Sequence, residues 1–308
     1  MGNLHITKAV PLLILSVAIV ALAMHLPSTL PELRAAASVK QPKPAAVADT
    51  VGRSKILQSA LARKKKTAPG ASQLSHTMIA ALIAAQTDQP APIVPPITPH
   101  LEKLLSGVSM LDQHRTLARQ VLSLLTPECQ DKLETFSVLY NHPKNRGLAG
   151  RGVIIVSGAV PDQEFIGLLL HEGLGHFRDI TCVTGNPESG ASPFRDGQAQ
   201  IWNDDPSVLF YKISWNSEHQ RKDDARPEDF VTGYAYQADN FEDLAESVTY
   251  FMTQEQAFRE RAKSNPILAV KLAWLESYMP KQSSVAEGSA WTGEIPWDAT
   301  KIAFRWIL

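Results

Sequence analysis

His171-Glu172-Gly173-Leu174-Gly175-His176 closes an apolar run (Phe165, Ile166, Leu168, Leu169, Leu170), where a plain core helix has no use for two imidazoles and a carboxylate. The stretch reads as a metal site. In the common H-E-x-x-H arrangement the histidines stand at i and i+4 on one helix face, and the glutamate between them acts as general base. Here the second histidine is at i+5, which a straight α-helix turns about 140° away from the first. One extra residue in the turn, a π-bulge, returns both to one side, and such bulges occur mostly at functional sites. Gly173 and Gly175 are read as supplying the backbone freedom for that distortion, at a helix-propensity cost of about 1 kcal/mol each. A cost of that kind points to function.

The chain on either side frames the site. Leu101 to Leu125 carries apolar residues at helical spacing (Leu101, Leu104, Leu105, Val108, Leu111, Leu117, Val121, Leu124, Leu125), and Pro127 to Tyr140 reads in the same manner, so two or three helices are expected. After the turn-rich His142 to Gly147, the run Gly152-Val153-Ile154-Ile155-Val156-Ser157 is short and β-branched, hence a strand. Pro161-Asp162 opens the histidine-bearing helix, with Asp162 expected as N-cap and Glu164 favoured in the first turn by the macrodipole. A strand leading directly into a metal helix leaves a sheet edge beside the metal, where main-chain hydrogen bonds can hold an extended peptide. Residues 181–235 mix turn chemistry with Val208 to Trp215, read as a strand, and the charged Glu218 to Glu228; this excursion is long enough to line or cover a cleft. Helical patterning resumes at Asp239 to Phe251 and at Pro266 to Tyr278. The C-terminal stretch with Trp291, Trp297 and Trp306 is expected to wrap the core. The fold class expected is α+β and mostly helical, with a small sheet and metal-bearing helices.

With 308 residues, 44% of them hydrophobic, the chain can bury a sizeable core. A net charge of −1 and a single dense basic run, Arg63-Lys64-Lys65-Lys66, with no interleaved aromatics, argue against nucleic acid as a partner. Residues 1–26 read as a signal peptide or membrane anchor. Lys8 is the positive start, Ala9 to Leu26 the apolar run and Ala21-Leu22-Ala23 the exit, while Met24 and Leu26 prolong the run and keep a tether through residues 9–26 open. The expected location is outside the cytoplasm: periplasmic, extracellular or membrane-anchored facing outward. Residues 27–98, rich in Ala, Pro and Lys, read as a linker that holds one marginal helix at Leu74 to Gln86. The catalytic domain is placed at 99–308. Cys129 and Cys182 either pair, if the chain is exported, or are two buried thiols.

The third metal ligand is expected on the later helix. Glu242 and Glu246 are four residues apart and share a face, so one can bind metal while the other orients a ligand from behind. Glu242 is assigned as ligand and Glu246 as support. Glu242 also fits the third position of a capping box begun by Asp239, a role that leaves Glu246 unexplained. Cys182, six residues after His176, is a less fitting ligand. Two histidines, a glutamate and an open position for water make a catalytic zinc pattern, one Zn2+ per chain. In the expected mechanism the metal acidifies its water and polarises a carbonyl, while Glu172 takes the proton and passes it to the leaving amine. An additional oxyanion donor is sought in Tyr236, Tyr234 and His219, in that order; each also has a bland reading, the tyrosines as packing groups and His219, like His142, as a solvated loop residue.

These residues resemble a known group. His171 to His176 is similar to the six-residue H-E-x-x-G-H motif of the dipeptidyl-peptidase III family, whose glutamate ligand lies on a later helix in an E-x-x-x-E arrangement matched by Glu242 and Glu246. Tyr236 to Glu246, with Glu-Asp-Leu-Ala-Glu, resembles the Tyr…Glu-x-x-Ala-Glu segment of lethal-factor-type metallopeptidases. Both groups are gluzincins, and the resemblance implies a zincin-like domain that hydrolyses peptide bonds; with the export expected from residues 1–26, the substrate expected is extracytoplasmic polypeptide. The alternatives are a non-catalytic surface or secreted binding module on the same fold, and a cell-wall amide hydrolase.

Overall fold

The computed structural model describes residues 96–141, 146–279 and 286–307. All of these residues belong to one compact unit, within Ala68–Leu308. The signal or anchor expected at 1–26, the linker up to residue 95 and the helix expected at Leu74 to Gln86 all lie outside the described residues, as does His142. Among the described residues no helix is long and apolar enough to cross a membrane.

The structure is α+β, about half helical, with small sheets. Helix α1 (Pro99–Gly107) begins where the Thr98 hydroxyl accepts the Leu101 N–H at 3.2 Å and proline takes the first helical positions, which need no donor. With α2 (Asp112–Leu122) it buries Leu101, Leu105, Val121 and Leu122 completely. The helical expectation for Pro127 to Tyr140 holds only as far as the four-residue α3 (Pro127–Gln130), and Thr135–Leu139 is strand β1. There the apolar period changes to two: Phe136 and Val138 point inward and their neighbours outward. β3 (Val153–Ser157) is the centre of a three-stranded sheet, parallel to β1 and antiparallel to β2 (Gly147–Gly150). Its Ile154 and Val156 are fully buried.

Helix α4 (Asp162–Leu169) follows β3, with Asp162 as its first residue and Pro161 at the cap, so Asp162 is not the capping side chain. Its carboxylate instead faces α2, 3.6 Å from His114 Nε2 and accepting from Gln113. α4 runs straight into a π-helical segment, Leu170–Cys182, of 13 residues. The distortion is thus a full π-helical stretch and not a single bulge.

A hairpin of β4 (Ala191–Asp196) and β5 (Ala199–Trp202) leads to α5 (Pro206–Ser214). This helix corrects the strand expected at Val208 to Trp215. Asp205 caps it by accepting the Ser207 N–H at 2.9 Å, Pro206 fits its start, and Val208, Phe210, Tyr211 and Ile213 are buried on nearly all sides. A segment apolar all round has no helical stripe to read. Only Trp215 enters a strand, β6 (Trp215–Ser217), paired with β7 (Gln220–Arg221). Next come α6 (Gly233–Gln237), α7 (Asn240–Thr253), α8 (Glu255–Ala262) and α9 (Pro266–Tyr278). The last strands, β8 (Ala286–Gly288) and β9 (Phe304–Trp306), pair antiparallel. Of the three late tryptophans, Trp291 and Trp306 are partly buried and pack against the core as expected, Trp291 under Arg261 and Trp306 donating to Gln120 at 3.2 Å, whereas Trp297 is 57% exposed.

Two internal ties fix this arrangement. Cys129 and Cys182 are joined as a disulfide, with Cα atoms 5.2 Å apart, fastening α3 to the end of the π-helical segment. Lys271 on α9 is wholly buried, donating to both oxygens of the equally buried Asp243 on α7 at 2.8 and 2.7 Å, and Trp215 Nε1 donates to the same carboxylate.

Candidate metal centre

Because the π-helix closes its hydrogen bonds from i to i+5, residues five apart return to the same side. His171 and His176 therefore face one another, rings 4.9 Å apart and nearly perpendicular. The π-helical segment packs along α7, and the glycine between the histidines is what lets it come close. A Cβ on Gly175 would stand 2.7 Å from both Cα and Cβ of Ala245, and one on Gly173 would stand 3.1 Å from the Leu122 side chain. Neither glycine has a positive φ. They serve close approach, and the backbone freedom expected of them is not used.

That approach brings Glu242, on the first turn of α7, to the histidines. His171 Nε2, His176 Nε2 and Glu242 Oε2 form a triangle with edges of 3.0, 3.2 and 3.3 Å, and this group could hold a metal ion. Four donors at about 2.0–2.1 Å from a tetrahedral zinc lie about 3.3 Å apart, so the donor set fits such an ion with little movement. Asp239 caps α7 by accepting the N–H groups of Phe241 and Glu242, both at 3.0 Å. The Glu242 backbone is thus capped while its side chain stays free to face the imidazoles.

Behind the triangle stands Glu246, completely buried. Its Oε2 accepts from the Thr232 hydroxyl at 2.6 Å and from the Ala299 N–H at 2.9 Å. Its Oε1 lies 3.1 Å from His171 Nδ1, at ion-pair distance but off the line of a hydrogen bond, and neither atom has another partner. A carboxylate behind a histidine fixes the ring's tautomer and orientation, leaving Nε2 free to bind metal.

Electrostatics follow from burial and these neighbours. At His171 burial opposes the charged ring, but Glu242 and Glu246 outweigh it and hold its pKa well above the ordinary value. Burial likewise opposes the Glu242 carboxylate, yet the two histidines hold it well below the usual range. Glu172 is pushed up by burial, partly countered by His171 and His176. β2 presses so closely on Glu172 that Gly147 has no room for a Cβ.

Two cavities, about 240 and 350 Å³, meet at Gly147, Glu172 and Glu242. The smaller is bordered by Leu148 and Ala149 of the β2 edge and by His176, Asp196 and Phe241. The larger is walled by His171, Tyr234, Trp297 and Lys301. Tyr236, first among the expected oxyanion donors, lines neither cavity; its ring lies under the Arg221 guanidinium at 4.0 Å and against Phe230. Tyr234 lines the larger cavity, and burial with the nearby Glu242 pushes its pKa up. His219 is 72% exposed and turned toward Glu218 and Asp239.

Sequence reasoning did not find Arg146, Thr232, Trp297 or Ala299. Thr232 carries a legible signal only as a cap, accepting the Ala235 N–H at 3.1 Å. Ala299 contributes through its backbone alone, which no residue pattern reveals. Searches of family models, of curated proteins and of solved structures give no match to this chain.

Proposed function

We propose that this protein is a zinc-dependent peptidase with a zincin-like catalytic domain, acting on polypeptide outside the cytoplasm. The observation that carries the reading is the donor triangle of His171, His176 and Glu242, backed by Glu246 and open to a cleft where the Glu172 carboxylate stands between the two cavities. Zinc bound there supplies Lewis acidity to a carbonyl group and to water. Glu172, its proton affinity raised by burial, accepts a proton from the attacking water and delivers it to the leaving amine. Tyr234, kept protonated by its surroundings, is the hydroxyl at the cleft that can donate to the carbonyl oxygen. The β2 edge along the smaller cavity offers main-chain groups to an extended peptide. The Cys129–Cys182 disulfide supports an oxidising compartment.

The test is Glu172→Gln in the full chain, assayed on a panel of unfolded polypeptides and, separately, on cell-wall amide fragments. The expected result is metal binding and thermal stability near wild type with peptide hydrolysis abolished. Unchanged hydrolysis would sink the assignment of Glu172. Cleavage of the cell-wall amides alone would move the enzyme to that substrate class.

A further inference from the structure

The C-terminal segment Pro296–Ala303 lies far in sequence from the histidines, yet it is built into their surroundings. Its start lies against α6, where Gly233 N–H donates to Pro296 O and Tyr234 N–H to Trp297 O, both at 2.8 Å. Arg146, at the head of β2, donates to Glu164 at 2.8 Å and also to Asp298 and Thr300, so one guanidinium fastens β2, α4 and this segment together. Gln163 donates to Ile302 O at 3.0 Å and Gln254 to Ala303 O at 2.9 Å. At the centre of these ties the Ala299 N–H meets Glu246, and both residues are completely buried.

We infer that this segment is a positioning element of the metal centre: the Ala299 N–H holds the Glu246 carboxylate, and through it the His171 ring, in the metal-binding orientation. The inference rests on the metal reading above. The two donors to Glu246 share one oxygen, and the other is left 3.1 Å from His171 Nδ1 with no other partner. Thr232 supplies one donor from a buried side-chain hydroxyl, and Ala299 supplies the other from backbone pinned on both sides. If the segment lifts, Glu246 keeps its charge but loses the anchor that directs it. Outer carboxylates of this kind alter metal affinity about 10–100-fold when disturbed.

Two variants separate positioning from mere stability. Ala299→Pro removes the N–H and puts the ring carbon where the donated hydrogen lies, and the extended Asp298 before it (φ −150°, ψ 122°) suits a following proline. Gly167→Ala acts from the other side. Its Cβ would stand 2.9 Å from Thr300 O and 3.0 Å from Thr300 Cα, wedging the segment away from α4 while favouring the helix itself. Full-chain wild type and both variants are titrated with zinc against a chromophoric chelator, and the visible spectrum of the cobalt-substituted protein is recorded alongside apo-protein unfolding.

The expected result is zinc affinity lowered about 10–100-fold in Ala299→Pro, less in Gly167→Ala, with a shifted cobalt spectrum in each. Should Ala299→Pro fail to fold, Gly167→Ala carries the test alone. Variants that lose apo stability yet keep wild-type affinity and spectrum would overturn the positioning role. A wild type that binds neither zinc nor cobalt would overturn the metal reading itself, and this inference with it.

Discussion

Gly175→Ala is the sharpest perturbation of the packing that assembles the centre. The added methyl would stand 2.7 Å from Cα and Cβ of Ala245, whereas ordinary contact begins near 3.4 Å, so α7 and the π-helical segment must separate by about 0.7 Å. Both obstacles are backbone or directly attached to it, so no side-chain rotation relieves them. Overpacking of this kind costs about 1–3 kcal/mol, against at most about 1 kcal/mol gained from replacing a helical glycine. A net loss of about 1–2 kcal/mol lowers Tm by about 2–8 °C in a domain of this size. The larger effect falls on the metal. Ala245 lies between Glu242 and Glu246, and metal bonds tolerate only about 0.2 Å of error, so zinc affinity is expected to fall tenfold or more, about 1.4 kcal/mol. Gly173→Ala is the control, because its methyl meets only side-chain ends, Leu122 Cδ2 at 3.1 Å and Ile154 Cδ1 at an ordinary 3.7 Å, and no backbone. Thermal unfolding in chelator and in zinc, with competition titration, gives both quantities. Wild-type Tm and wild-type affinity in Gly175→Ala, or equal losses in the two variants, would refute the close-approach argument.

Other consequences are measurable by simpler means. Opening the Cys129–Cys182 disulfide, which spans 53 residues, should cost about 4 kcal/mol by chain entropy; reduced and oxidised protein compared in urea will show it, and equal midpoints would contradict it. Lys271→Met leaves Asp243 charged and buried and should destabilise by about 3–5 kcal/mol, with Asp243→Asn in the same chain recovering part of the loss; additive losses in the double variant would refute this pairing. Burial pushes the Asp179 carboxyl up to about 6, although Ser207 and Tyr211 both donate to it. The folded chain then binds this proton more tightly than the unfolded one. The stability it contributes is full below the ordinary 3.8 and is lost as pH rises through about 6, about 3 kcal/mol in all. Asp179→Asn should remove that slope from urea denaturation curves taken between pH 4 and 7; an identical slope in the variant would count against the shift.

The sequence is most readable where spacing and chemistry coincide. Five-residue spacing of His171 and His176 demands a helix that is not α if both are to face one metal, and the four-residue spacing of Glu242 and Glu246 puts both carboxylates on one face without deciding which is the ligand. Both follow from helix geometry alone. The extent of the distortion does not follow, since nothing in the sequence before Leu170 or after His176 distinguishes one bulge from a long π-helical stretch. Two assignments turned on local rules that burial overrode. Val208 to Trp215 has strand composition, but Asp205-Pro206 starts a helix whose apolar residues are covered on almost every side. Gly173 and Gly175 suggested a flexible backbone, whereas their missing side chains make room for Leu122 and Ala245. The C-terminal wall was the least legible. Its contributions are a backbone N–H at Ala299, an exposed Trp297 and three hydrogen bonds from Arg146, none of which depends on a local pattern around the histidines.

The central claim is tested most directly by the metal content of purified, zinc-reconstituted full-length protein, measured by elemental analysis in wild type and in His171→Ala, His176→Ala, Glu242→Ala and Glu246→Ala. The account expects close to one zinc per chain in the wild type, lost when either histidine or Glu242 is removed and only weakened without Glu246. A reconstituted wild type that retains no metal, or a full complement that survives the loss of both His171 and Glu242, would contradict it.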